Sequence, residues 1–89
     1  MIRTNITISN RLGLHARASA KFTKLAGSFP CDIFVSRAGR RVNAKSIMGV
    51  MMLAAGLGSE IEIEVSGVRE QEAVDALCAL VNDKFGEGV

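Results

Sequence analysis

The sequence predicts an α+β fold, a small antiparallel sheet with its helices gathered on one side. Three observations carry that expectation. Ile2, Thr4, Ile6 and Ile8 alternate with Arg3, Asn5 and Thr7, which is the period of a half-buried strand. Ile61, Ile63 and Val65 alternate with Glu60, Glu62 and Glu64, so one sheet face is expected to be packed and the other wet. From Ala16, and again from Glu70, the apolar spacing changes to three and four residues, which is a helix packing one stripe.

The elements follow in order. After the first strand, Ser9 to Gly13 is polar, ends in glycine and reads as a loop. Ala18, Phe22, Leu25 and Phe29 give the first helix its apolar face, and Gly27 and Pro30 end it. Cys31 to Arg37 is a second strand, with Ile33 and Val35 opposite Asp32, Phe34 and Ser36. Ala38-Gly39 is a tight turn, and Arg40 to Asn43 returns as a short, weakly apolar strand suited to a sheet edge. Ser46 is a good N-cap for a short helix from Ile47, weakened by Gly49 and closed by Gly56 and Gly58. Glu60 to Val65 is the fourth strand. Glu70 to Phe85 is the last helix, with Val74, Leu77, Cys78, Val81 and Phe85 as its stripe and Glu70 and Glu72 suiting its N-terminal dipole. Gly86 to Val89 reads as a frayed tail. The order is β-α-β-β-α-β-α, and its economical arrangement is a two-layer open-faced sandwich.

Composition narrows the function. Eighty-nine residues suit one small domain, 1–89, with a thin core. Hydrophobic content is 48% without Trp or Tyr, so aliphatic residues, methionines and four Phe must fill that core. A net charge of +2 argues against strong electrostatic binding to nucleic acid. Cys31 and Cys78 form no C-x-x-C pair and one histidine stands with them, too few donors for a zinc site. Whether the two form a disulfide is open. No basic stretch leads into an apolar one at the N-terminus, so no signal peptide is expected. The longest apolar-rich stretch, Ile47 to Leu57, is about half the ~20 residues a membrane span needs, and a cytoplasmic protein without membrane contact is expected.

The chemistry centres on the single histidine, His15, at the start of the first helix. A helix N-terminus presents unpaired N–H groups and a partial positive charge, so it attracts anions. Histidine is not a favoured N-cap, and Ser9 and Asn10 stand nearby as better candidates. Arg17 falls in the first turn, where a cation is disfavoured by roughly 0.3–1 kcal/mol. Such local inconsistency often marks a functional site, and an incoming phosphate would resolve it by pairing with Arg17 and the helix end together. Imidazole is nucleophilic when neutral, and a phosphorylated imidazole is a labile donor, so it can accept a phosphoryl group and release it. On residue types alone, a surface histidine that does nothing remains the alternative.

Gly13-Leu14-His15-Ala16-Arg17 resembles the phosphorylation-site motif of the HPr family, the histidine-containing phosphocarriers of the bacterial phosphoenolpyruvate-dependent phosphotransferase system. Asn43-Ala44-Lys45-Ser46-Ile47-Met48-Gly49-Val50-Met51 resembles that family's second signature, around a regulatory serine. Leu53-Ala54-Ala55-Gly56 and then Gly58-Ser59-Glu60-Ile61 resemble its lead into the fourth strand, so the resemblance covers nearly the whole chain.

The resemblance implies an HPr-like four-stranded antiparallel sheet of order 1-4-2-3 under three helices. It implies that His15 takes a phosphoryl group on Nδ1 from the phosphohistidine of enzyme I and passes it to an EIIA domain of a sugar permease or of a regulatory branch. Arg17 would neutralise the phosphate charge, and Ser46 would be a target of an HPr kinase/phosphorylase where the organism has one. The protein would be a monomeric carrier and not a stand-alone catalyst, with no cofactor and no metal. One residue departs from the pattern: Ala18 stands where the family commonly has proline.

A carrier must bind two partners briefly, which calls for a small apolar patch with a charged rim. Leu14, Ala16 and Ala20 near the site, with Ile47, Met48 and Met51 on the short helix, are candidates for the patch. Arg17, Lys21, Lys24 and Lys45 are candidates for the rim. The sequence leaves Ile47 and Met51 between core and surface and favours exposure for Met48. A phosphate on Ser46 would suit a helix N-terminus and place about two negative charges in this patch. Two other readings compete. A signalling paralogue in a nitrogen-related phosphorelay would keep the fold and change the partner. A small nucleic-acid-binding domain would use Arg37, Arg40, Arg41 and Lys45, but the strands lack stacking aromatics and the wet face carries three glutamates.

Overall fold

The two most regular strands lie side by side in the sheet, the first of them at its edge. The computed structural model describes residues 1–89. β1 (Ile2–Thr7) runs antiparallel to β4 (Glu60–Ser66), with Ile6 opposite Ile61 and Thr4 opposite Ile63. β2 (Asp32–Arg37) pairs the other edge of β4, setting Ile33 opposite Val65 and Val35 opposite Ile63. β3 (Arg40–Asn43) returns along β2 as the outer strand, giving an all-antiparallel sheet of order β1-β4-β2-β3. The turn between β2 and β3 has positive φ at both Ala38 (51°) and Gly39 (83°), the twist that suits a two-residue hairpin.

Period two puts Ile33, Val35, Ile61, Ile63 and Val65 on one face, and all five are buried. Three helices cover that face: α1 (Ala16–Gly27), α2 (Ile47–Met52) and α3 (Glu70–Asn82). Phe22 from α1, Val50 from α2, and Leu77 and Val81 from α3 join the sheet residues in one continuous core. Burying a side chain of this size stabilises by about 1.5–3 kcal/mol, which sets how strongly the alternating pattern fixes the register. Cys31 and Cys78 are free thiols, and burial followed by the charge of Asp75 raises the Cys78 pKa above the ordinary thiol value. No helix is long and apolar enough to cross a membrane.

Four expectations need correction. α2 ends at Met52, ahead of Gly56 and Gly58. Its last carbonyls are taken by guanidinium groups from the hairpin, Arg37 Nη1 to Leu53 O and Arg40 Nη1 to Met52 O, both at 3.1 Å. α3 ends at Asn82, because Lys84 and Phe85 turn to φ of 55° and 54°, and a short 3-10 turn (Lys84–Gly86) still drops Phe85 into the core. The last residues are not a frayed tail: Lys21 Nζ donates to Phe85 O at 2.7 Å, and Arg11 N to Val89 O at 3.1 Å.

The fourth correction concerns the wet face. Glu64, on the side opposite the helices, is only 6% exposed. Arg41 lies over the Phe34 ring, 3.7 Å from its centroid, and its Nη2 reaches Glu64 Oε2 at 2.8 Å, while Arg3 approaches the other oxygen at 3.6 Å. The Arg41 hydrogen bond, with the Arg41 and Arg3 charges, outweighs burial and holds the Glu64 carboxyl below the usual carboxylate range.

Candidate functional site

His15 is itself the N-cap of α1, in place of Ser9 or Asn10. Its backbone is extended (φ −74°, ψ −179°), and its Nδ1 accepts from the Arg17 backbone N–H at 3.3 Å. That contact is at the long end for a hydrogen bond, so the ring is aimed at the helix end without being locked to it. The site therefore has the geometry of an anion cradle. Arg17 is exposed beside it, and none of the ion pairs in the structure engages its guanidinium.

The loop leading into the cap is built from Asn10 and Gly13. Asn10 is fully buried, and its Nδ2 donates to Gly13 O at 2.9 Å and to Glu87 Oε1 at 3.0 Å. Gly13 has φ +66° and lies against the loop after α2, where a Cβ would sit 2.3 Å from Ala55 O. Leu14 N donates to that same Ala55 O at 2.8 Å, so the segment following α2 props the histidine loop from below.

Glu87 completes the site, and reading the sequence missed it. Its Oε2 is hydrogen-bonded to His15 Nε2, on the side of the ring away from the helix. His15 is 27% exposed and Glu87 12%. The Asn10 amide first, then the His15 imidazole, hold the Glu87 carboxyl below the usual carboxylate range, with the charges of His15 and Lys21 adding to the effect and burial opposing it. A cleft of about 620 Å³ opens beside the imidazole, bordered by Leu12, Arg17, Lys21, Glu87 and Val89. Nothing local in the sequence marks Glu87, a carboxylate between two glycines.

The other site residues divide. Ser46 caps α2 as expected, its Oγ accepting from Gly49 N at 3.2 Å. Ala16, Ala20, Lys24, Ile47, Met48 and Met51 are exposed, Met48 at 67%, which places Ile47 and Met51 on the surface. α1 and α2 pack side by side, so these residues share one side of the molecule. Leu14 does not join them. It is 5% exposed and belongs to the core, because its N–H and C=O are tied to Ala55 O and Ser19 Oγ. Lys21 and Lys45 are exposed cations whose ammonium groups are anchored on Phe85 O and Phe29 O. Leu12, Met52 and Leu57 are further large exposed apolar residues.

A two-layer sandwich that presents an imidazole on a helix N-terminus, beside an unpaired arginine, defines a class of small proteins with an anion-attracting helix end. Comparison with known proteins specifies the class. Residues 2–83 match the family model described as the PTS HPr component phosphorylation site, a match that stops short of Glu87. The chain is 61% identical over 88 residues to the phosphocarrier protein HPr of Cupriavidus necator, and 53% identical over 88 residues to that of Neisseria meningitidis, covering 99% of each chain in both cases. Its fold is similar to the crystal structure of HPr from Thermoanaerobacter tengcongensis, with a TM-score of 0.96, 42% identity and full coverage of both chains. The chain belongs to the HPr family of phosphocarriers.

Proposed function

We propose that His15 is the residue that carries the phosphoryl group, receiving it on Nδ1 from the phosphohistidine of enzyme I and passing it to an EIIA domain. The observation that carries this reading is the direction of the ring. Nδ1 faces the Arg17 N–H at the start of α1, so a group bonded to Nδ1 lies among the helix's unpaired N–H groups and beside the Arg17 side chain. The helix end and the guanidinium then neutralise the phosphate charge without any metal or cofactor. In this reading the protein is a cytoplasmic carrier that relies on its partners for chemistry. Ser46 is the regulatory position in this reading, reachable by a kinase of the HPr kinase/phosphorylase type. The exposed residues of α1 and α2 form the docking face of a monomer.

Incubation with enzyme I and labelled phosphoenolpyruvate tests this directly. Wild-type protein takes up an acid-labile, alkali-stable label, and His15→Ala takes none. Arg17→Ala keeps the thermal midpoint of the wild type and transfers more slowly. A wild-type protein that stays unlabelled with a competent enzyme I refutes the assignment.

A further inference from the structure

We infer that Glu87 is a positioning residue that sets the tautomer of His15 and so leaves the Nδ1 lone pair free to react. This rests on His15 being the phosphoryl carrier. Three contacts run through the site in a line. Asn10 Nδ2 donates to Glu87 Oε1 at 3.0 Å, Glu87 Oε2 meets His15 Nε2, and His15 Nδ1 accepts from Arg17 N. A carboxylate only accepts and a backbone N–H only donates. The neutral ring satisfies both neighbours in one way alone, with the proton on Nε2 and the lone pair on Nδ1. The opposite tautomer would set a lone pair against the carboxylate and an N–H against an N–H. The partner at one imidazole nitrogen thus decides what the other can do.

The carboxylate is held where it is needed. Phe85 is buried, Lys21 grips Phe85 O, Arg11 N grips Val89 O, and the Asn10 amide binds the carboxylate itself. The left-handed backbone at Lys84 and Phe85 turns the chain back toward α1. An acidic side chain on a loose end would not be fixed at four points.

The transfer step balances with this arrangement. The Nδ1 lone pair forms the new N–P bond as the donor's N–P bond breaks, and that bond's electron pair returns to the donor nitrogen. The Nε2 proton stays on the ring, shared with Glu87. The positive charge the ring acquires on forming a bond at Nδ1 therefore develops against a carboxylate already in contact. The Arg17 N–H released from Nδ1 is free to turn to a phosphate oxygen.

Nitrogen NMR of the imidazole in full-length protein reads the tautomer without any partner. At a pH where the ring is neutral, wild type is expected to show Nε2 as the protonated nitrogen, with an Nε2–H proton that exchanges slowly with water. In Glu87→Ala the two nitrogen shifts move toward each other as the tautomers mix, and the slow proton is lost. Phosphoryl uptake from enzyme I falls by about tenfold, while Asn10→Ala gives a smaller change in the same direction. Wild-type protein with the proton on Nδ1, nitrogen shifts that Glu87→Ala leaves in place, or an unchanged uptake rate overturns the inference. Should Glu87→Ala not fold, Glu87→Gln takes its place: its amide can donate to Nε2 as well as accept from it, so the same mixing of the tautomers is expected there. Wild-type protein that shows the Nε2–H tautomer but takes no label refutes the carrier assignment instead.

Discussion

Replacing Gly13 by alanine should damage both the fold and the site, by an amount the structure separates into two parts. The first is conformational: at φ +66° an L-residue in left-handed backbone costs roughly 1–2 kcal/mol. The second is steric. The new methyl would sit 2.3 Å from Ala55 O and 2.6 Å from Gly56 Cα, both backbone atoms that cannot rotate away. Forcing such a contact costs typically about 1–3 kcal/mol. Gly39→Ala supplies the reference, because Gly39 has φ +83° with nothing within 4 Å of a Cβ and bears the conformational cost alone. Urea unfolding of the two variants should therefore differ by about 1–3 kcal/mol, with Gly13→Ala the weaker. For a domain of this size that difference is roughly 4–24 °C in thermal midpoint. The strain also acts on Leu14 N, whose bond to Ala55 O positions the cap residue next to it. Phosphoryl uptake should fall in Gly13→Ala and not in Gly39→Ala. Equal stabilities, or a Gly13→Ala protein that transfers at the wild-type rate, would refute the view that the loop after α2 supports the histidine.

Two further outcomes are expected. The Glu64 and Glu87 carboxyls titrate below their ordinary value of 4.5 in the folded protein, so their stabilising effect is complete above that value and lost as pH falls through the lower folded one. Thermal midpoints across that range should show Glu64→Gln less stable than wild type near neutrality and the gap closing in acid; a gap that widens in acid would contradict the pairing with Arg41. Ser46→Ala removes the α2 cap and should cost about 0.5–2 kcal/mol in chemical denaturation, whereas Ser46→Asp should keep the cap and slow transfer to acidic partners, and an Ala variant as stable as wild type would show the cap to be idle.

Much of the fold was legible because its elements obey simple periods. The β4 alternation set the packed face, and the change of spacing at Ala16 located the start of α1 to the residue. The errors share one cause, which is contact between residues distant in sequence. Glu64 read as a solvated side chain because Arg41, its partner, lies two strands away. Leu14 read as surface because its burial depends on Ala55. The chain end read as frayed because neither the Lys21 grip on Phe85 O nor the Asn10 contact to Glu87 has a local signature. At the site, His15 and Arg17 stood out through their conflict with the helix dipole. Glu87 could not, since a glutamate between two glycines carries no pattern until the chain is folded back.

The face of the sheet opposite the helices has a bearing on how the protein behaves in a crowd. Arg41, lying over Phe34 and paired with Glu64, covers the middle of that face, while the edge strand β3 is short and begins with two arginines. Such a back offers a neighbouring molecule little bare apolar area, and the β3 edge is too short to pair well with a strand from outside. The exposed apolar residues of α2, and Leu12 beside His15, lie on the helical side instead. A shuttle that has to leave each partner as readily as it meets it gains from having a single place to be held.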